Sequence, residues 1–363
     1  LANLIGNINA GGGGVNRNLI INGAMNVAQR ATSSTGIGAS SGYFTTDRWK
    51  LDINNTAGRL TMTQDSSAPS GFHNSTKLAC TTADTSIASD EYFIFQQRIE
   101  GQNLQSFAKG TSDAKPFALS FYVKGNASAT YTAELFDGDN SRQISKTFTV
   151  GTDWSRVELS YPADTTGAFD DDNANSFNLN IWIHSGSNYK SGTLNSSAWA
   201  SNTTANRVSS SNTSFFDSTD RTFFITGVQL EVGQNATEFE HEPYATTFEK
   251  CLRYFHAVVP KGVNIGYFAP AWYYSSSTMV SILDHKVEMR AAPTVESNDG
   301  TNDFRFYRAG TQDDFDDLSL SAPSSTKATA FYNSTDMSGT QGDAGGLYIN
   351  DTTNAFFYLK AEL

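Results

Sequence analysis

One stretch of this 363-residue chain changes its hydrophobic period, and that change constrains the fold more than any other feature. In Arg221-Thr-Phe-Phe-Ile-Thr-Gly-Val-Gln-Leu-Glu-Val-Gly233 the apolar residues Phe223, Ile225, Val228, Leu230 and Val232 alternate. The one slip falls at Gly227, as in a strand that carries a bulge. From Tyr244 the spacing becomes helical: Phe248, Cys251, Leu252 and Phe255 fall at i, i+3, i+4 and i+7. Thr246 and Glu249 match a capping box, which satisfies orphan amides at a helix start. The spacing therefore predicts the last strand of one β domain, then a short helix over 246–255 that opens a second domain.

Strand-like runs lie on both sides of this passage. Tyr92–Ile99, Phe117–Val123, Tyr131–Phe136, Gln143–Val150, Arg156–Tyr161 and Phe177–Ile183 precede it, separated by turn residues. Short alternating runs of this kind predict an all-β, antiparallel sandwich with jelly-roll connections. Within Phe177–Ile183, the residues Phe177, Leu179, Ile181 and Ile183 mark a core face, while Asn178, Asn180, Trp182 and His184 mark a face that is wet or at an interface. After the helix, Gly266–Tyr274, Ser277–Leu283, Val287–Arg290, Phe304–Phe306, Ala328–Tyr332, Leu347–Ile349 and Ala355–Leu359 predict a second, smaller β domain. The expected division is residues 1–45 as an attachment and hinge segment, 46–245 as the jelly-roll-like sandwich, and 246–363 as the C-terminal β domain. Gly11–Gly14 is the hinge, since a run of glycines fixes no conformation.

A hydrophobic content of 38% supports a core, while only 17% charged residues, with abundant Gly, Ser, Thr and Asn, fit a turn-rich β protein. The formal net charge of −12 would repel a phosphate backbone, so nucleic acid is not an expected partner. No apolar run is long enough to cross a membrane as a helix, and no signal peptide is read at the start. Cys80 and Cys251 are far apart, and Cys251 lies on the apolar helix face, so both read as buried thiols.

The usual catalytic and metal signatures are missing. The five histidines, His73, His184, His241, His256 and His285, are scattered and form no ligand motif, so no metal and no cofactor are expected. Gly38-Ala-Ser-Ser-Gly42 matches a nucleophile elbow formally, but no strand and helix flank Ser40 as that device requires. Asp137-Gly-Asp-Asn lacks the downstream glutamate of a calcium loop and reads as a turn. Two carboxylates acting on a glycosidic bond would leave no local signature, so a glycan hydrolase stays open as an alternative. Aromatic side chains in polar surroundings are the remaining signal, because sugar rings stack on Trp and Tyr while Asn and Asp take their hydroxyls. The candidate ligand-binding residues are Tyr189 and Trp199, in the long polar stretch 185–219, and Trp272 and Tyr274.

Three stretches resemble one family. They are Asn16-Arg-Asn-Leu-Ile-Ile-Asn-Gly-Ala-Met25 with Gln29-Arg30, then Thr46-Asp-Arg-Trp49, and Val228–Gly233 with Phe239-Glu-His-Glu-Pro-Tyr244 and Cys251–Phe255. They are similar to fibre proteins of tailed bacteriophages, marine and cyanobacterial phages above all, and Val287–Thr294 and Ala361–Leu363 extend the resemblance to the second domain. The resemblance implies a virion fibre whose jelly-roll is similar to carbohydrate-binding modules, and it carries over no catalytic residue. It further implies a non-enzymatic tail fibre that binds host-surface polysaccharide, is assembled in the host cytoplasm and joins other virion proteins at its N-terminal end. A head-decoration fibre with a structural role is the other placement. Fibre symmetry, together with Leu1, Leu4, Ile5 and Ile8 spaced like a short helical seam, leads to the expectation of a homotrimer.

Overall fold

The strand Thr222–Val232 alternates apolar and mostly polar residues yet is buried along nearly its whole length, and its neighbours grow outward from it. In the computed structural model, which describes residues 16–363 apart from Asp299 and Pro323, the chain divides into two compact units after Tyr244. The predicted N-terminal seam and the glycine hinge lie outside the described residues.

The first unit contains the strands β1 (Ser33–Ile37), β2 (Gly42–Tyr43), β3 (Lys50–Asn54), β4 (Arg59–Asp65), β5 (Ser75–Thr82), β6 (Tyr92–Glu100) and β7 (Phe117–Gly125). It continues with β8 (Ala129–Asp137), β9 (Arg142–Val150), β10 (Ser155–Tyr161), β11 (Asn175–Ser185), β12 (Ala200–Ser201) and β13 (Thr222–Val232). Two antiparallel sheets result, one ordered β1-β4-β5-β13-β7-β10 and the other β12-β9-β8-β11-β6-β3-β2. From β3 to β13 the chain passes repeatedly from one sheet to the other, which makes the jelly-roll-like sandwich. Alternation decides what fills it. Phe117, Leu119, Phe121 and Val123 of β7 meet Phe177, Leu179, Ile181 and Ile183 of β11 in one core. The bulge falls where the sequence places it, with the β13–β7 register slipping between Thr226 and Gln229 and Gly227 at φ +62°.

Residues 16–45 do not form a separate segment. Ile20, Met25 and Ile37 are in the sandwich core, and β1 pairs with β4. Ser40 sits exposed in the loop between β1 and β2, with neither strand-to-helix turn nor burial around it. Conserving such geometry would take a buried strand that the loop lacks. The stretches that carry the fibre resemblance bind one another: the amides of Asn16, Arg17 and Asn18 donate to the Glu240 carboxylate at 2.6, 2.8 and 2.9 Å. Trp49 Nε1 donates to Asn22 O at 3.2 Å, and Gln29 holds Asp47 through its backbone and side-chain amides. Their work is to close the sandwich.

The second unit opens with α2 (Tyr244–Leu252), the helix α1 being the single turn Ser187–Lys190 in the first unit. The helix starts directly after Pro243, two residues before Thr246, so Thr246 is not its cap. It also ends before Phe255, which instead begins β14 (Phe255–Val259). There follow β15 (Tyr267–Ser275), β16 (Thr278–Asp284), β17 (Thr294–Ser297), β18 (Phe304–Arg308), β19 (Thr311–Phe315), β20 (Ser319–Ser321), β21 (Ala328–Asn333), β22 (Ala344–Ile349) and β23 (Phe357–Lys360). A seven-stranded sheet, β19-β18-β22-β15-β16-β21-β20, packs its inner face with a three-stranded sheet, β14-β23-β17, around Phe304, Phe306, Met279, Phe331, Phe357 and Leu359. Val287–Arg290, expected as a strand, is a loop: the Met289 and Arg290 amides donate to Thr326 O and Arg253 O instead of to a ladder. The acidic run at 313–317 supplies part of β19, where Asp313 pairs with Arg308 at 2.6 Å and Asp314 with Arg305 at 2.6 Å.

Candidate glycan-binding face

Alternation on β11 sends Asn178, Asn180 and Trp182 away from the core, and the ladders on either side line up further polar positions with them. Asn178 lies opposite Arg98 and Phe136, Asn180 opposite Gln96 and Glu134, and Trp182 opposite Ile94 and Thr132. Lys50 and Asp52 of β3 continue the same face beyond β6. This is the outer face of the seven-stranded sheet. It is half covered by the long polar stretch after β11, which runs back across it.

A buried carboxylate organises the covered half. Glu134 accepts from Arg207 Nε at 2.7 Å and Nη2 at 2.8 Å, from Asn180 Nδ2 at 2.9 Å and from Trp182 Nε1 at 2.8 Å. A fully buried carboxylate survives because its oxygens are met by a bidentate guanidinium and two further donors. The guanidinium of Arg207 lies 4.8 Å from the Trp182 ring centre and 5.0 Å from that of Phe136, so the overlying stretch is held by stacking as well as by charge. Hydrogen bonds carry the order outward, with Gln96 Nε2 donating to Asn180 Oδ1 at 2.7 Å and Arg98 Nε donating to Gln96 Oε1 at 2.8 Å.

The open half is rimmed by aromatic edges. Tyr189 of α1 meets Tyr92 edge-on at 5.4 Å and Trp182 at 5.3 Å, and Tyr92 meets Trp182 at 5.9 Å. Burial, followed by the Asp52 charge, raises the Tyr92 phenol above its usual pKa, and burial likewise raises that of Tyr189, so both present neutral hydroxyls at neutral pH. Half-buried Lys50, Asp52, Arg98, Phe136 and Arg207 complete the surface. Asn178 Oδ1, between Arg98 and Phe136 on the ladder, has no protein partner. Fixed aromatic edges, both signs of charge and a spare amide acceptor are groups suited to a polyhydroxylated ring.

The four aromatics expected to bind ligand separate. Tyr189 is on this face. Trp199 is not available: its ring is 7% exposed, packs on Phe117 and Phe177 at 5.4 and 6.2 Å, and donates its Nε1 to Pro162 O at 2.8 Å. Polar neighbours in sequence suggested exposure, but the loop folds the indole inward as a core plug. Trp272 and Tyr274 lie in the other unit, on the outer side of β15, half-buried and exposed respectively. Sequence reasoning did not single out Tyr92, Arg98, Asp52 or Arg207, which come from separate strands and a distant loop. The signal that pointed towards them was the polar face of β11.

One further arrangement bears on catalysis. His184 is bonded at Nδ1 to Ser214 Oγ, 2.8 Å away, and at Nε2 to Glu91 Oε2, 3.1 Å away. The Ser214 hydroxyl also accepts the Phe216 amide at 3.1 Å as a helix cap, and His184 is fully buried against the Phe216 ring. These ties make the trio part of the framework. Among the described residues no group of three or more His, Cys, Asp or Glu side chains is set to hold a metal ion.

No family model matches this chain, and no curated protein matches it. Solved structures to which it is similar include a family 4 carbohydrate-binding module, at 10% identity over 58% of this chain and 97% of that one, TM-score 0.30. Another is the enzymatically active domain of tailspike protein 4 of bacteriophage CBA120, at 14% identity over 59% of this chain but 21% of that one, TM-score 0.31. A third is the family 11 carbohydrate-binding module of Clostridium thermocellum with a β-1,3-1,4-mixed-linked tetrasaccharide, at 12% identity over 58% and 98%, TM-score 0.29. At such TM-scores the likeness carries no functional argument.

Proposed function

We propose that this chain is a non-enzymatic virion fibre protein, a tail fibre, whose sandwich binds polysaccharide on the host surface. The observation that carries the reading is the outer face around Trp182 and Glu134, a rigid floor with Tyr92, Tyr189, Arg98 and Asp52 at its open edge. The resemblance of the Asn16–Met25, Thr46–Trp49 and Val228–Tyr244 stretches to phage fibres supplies the setting. An open face of this kind binds single sugars weakly, and several copies per particle would raise the effective concentration enough for attachment. Adsorption assays test this: purified chain should compete with the particle for host cells, and Tyr189→Ala with Arg98→Ala should abolish the competition. Equal competition by the double variant would remove the face from the proposal. Incubation with host polysaccharide separates the hydrolase alternative, because release of reducing ends, lost on substitution of single Asp or Glu residues, contradicts a binding role. Labelling the particle with an antibody to the chain distinguishes a tail fibre from a head-decoration fibre.

A further inference from the structure

The outer face of the seven-stranded sheet in the second unit differs from ordinary solvent-facing sheet. An antiparallel sheet with one wet face alternates apolar and polar residues, whereas a strand buried on both faces is apolar throughout. β15 reads Tyr-Phe-Ala-Pro-Ala-Trp-Tyr-Tyr-Ser and turns Pro270, Trp272 and Tyr274 away from the core, and β16 turns out Val280 and Ile282 between the polar ends Thr278 and Asp284. The register shows one continuous surface: Tyr307 lies opposite Gly346, Gly346 opposite Pro270, Trp272 opposite Val280, Val280 opposite Tyr332, and Ile282 opposite Ala330. Tyr267 and Tyr274 flank it with 60% and 68% of their surface exposed, and Ile282 and Tyr307 are 48% and 44% exposed.

Tyr267 is not a loose side chain. A Cβ on Gly346 would come within 2.7 Å of its ring, so the ring lies down on the glycine, and its edge meets Tyr348 at 5.4 Å. The middle of the surface is floored by Gly346, Pro270, Ala330 and Ile282, which offer a sugar no side-chain hydrogen bond. Charge is confined to the margins, where Arg305 and Asp314 pair with each other and Asp284 stands exposed at the end of β16. In a chain of net charge −12, a face whose middle carries no charge is one on which two copies can meet without bringing like charges together at its centre. Seven strands at their usual spacing and length give a face of roughly 600 Å², close to the ~800 Å² that each partner contributes to a standard interface.

We infer that the outer face of the β19-β18-β22-β15-β16-β21-β20 sheet is covered by a second copy of this chain. This inference does not depend on the glycan-binding reading. Light scattering on the full chain tests it together with Ile282→Glu, which places a charge at the centre of the face. The wild type should show a mass above the 39.4 kDa of one copy, and Ile282→Glu should return it to one copy while keeping the wild-type far-UV spectrum. Since association through residues 1–15 could persist on its own, the second measurement is local. Ile282→Cys, read against the two buried native cysteines, should be slow to react with a thiol reagent in concentrated protein and fast on dilution. A wild type that stays monomeric at the highest attainable concentration overturns the proposal. So does a cysteine at 282 that reacts equally fast at all concentrations, that is protected only until residues 1–15 are deleted, or that is protected only when host polysaccharide is added.

Discussion

Two outer sheet faces in this molecule carry aromatic side chains, and they use them in opposite ways. On the sandwich, Trp182 is fully buried beneath Arg207 and tied to Glu134, so the aromatic is a floor and the polar groups around it are held in fixed positions. On the second unit, Tyr267 lies on Gly346 and Trp272 has Val280 and Ala344 as its cross-strand neighbours, so these aromatics stand among apolar groups. Among the described residues, seven of the nine large hydrophobic side chains left exposed, Val263 to Leu320, belong to that smaller unit. Aromatics combined with ordered polar groups suit a hydrated ligand, whereas aromatics over an apolar floor suit a dry contact.

The difference extends to what holds each unit together. In the sandwich, the ammonium of Lys109 is fully buried within 2.5 Å of Asp137 and 3.1 Å of Asp164, and donates to Thr166 O and Gly167 O at 2.9 and 2.7 Å. Trp199 and Phe169 close over it at 5.7 and 5.1 Å. Lys109→Met would leave the fully buried Asp137 without its cation, while Asp164 keeps Arg142 at 2.7 Å. The expected loss is ~3–5 kcal/mol by chemical denaturation, the largest effect here, and a loss below ~1 kcal/mol would show the cage to be solvated.

Trp182→Ala comes next, at about 3–5 kcal/mol, because it opens a cavity and leaves one Glu134 oxygen short of a donor. A cost near zero would mean that the covered half of the face is not packed as described.

The second unit responds to acid through His256, a buried residue on β14. Burial, helped by the nearby Lys286 and His285, lowers its pKa from the usual 6.5 to about 4. The folded unit therefore binds the proton less readily than the unfolded chain. The stabilisation is complete above pH ~6.5 and is lost as the pH falls towards 4, by about 3 kcal/mol in all. His256→Asn should flatten the stability profile over that window, and an unchanged slope would assign the effect elsewhere.

The smallest effect belongs to Trp272→Ala, at about 1 kcal/mol or less in the isolated copy, since the ring is only half-buried. Read beside Trp182→Ala, it compares one residue type on the two faces.

The sequence made some of this legible and hid the rest for physical reasons. β11 and β13 announce themselves because long alternating runs of large side chains have one sensible register, and Gly227 marks its own bulge. β5, Ser-Thr-Lys-Leu-Ala-Cys-Thr-Thr, escaped notice because small residues fill its place beside β13, and β19 because its carboxylates are paid for by arginines on the neighbouring strand. Trp199 misled, since aromatic residues in a polar loop look exposed until the loop is folded. The sandwich face could be read only in part: Asn178, Asn180 and Trp182 share a side of one strand, but Lys50, Tyr92, Glu134 and Arg207 reach it through pairings of long sequence separation.

The most direct test of the central contrast is calorimetric titration of the full chain with host-surface polysaccharide, repeated on two variants. Tyr189→Ala with Arg98→Ala should weaken binding at least about tenfold, a loss of ~1.4 kcal/mol or more, while Trp272→Ala with Tyr274→Ala should leave the intrinsic affinity per site unchanged. The opposite pattern, affinity lost with the second pair and kept with the first, would place the sugar on the C-terminal sheet and contradict the account of both faces.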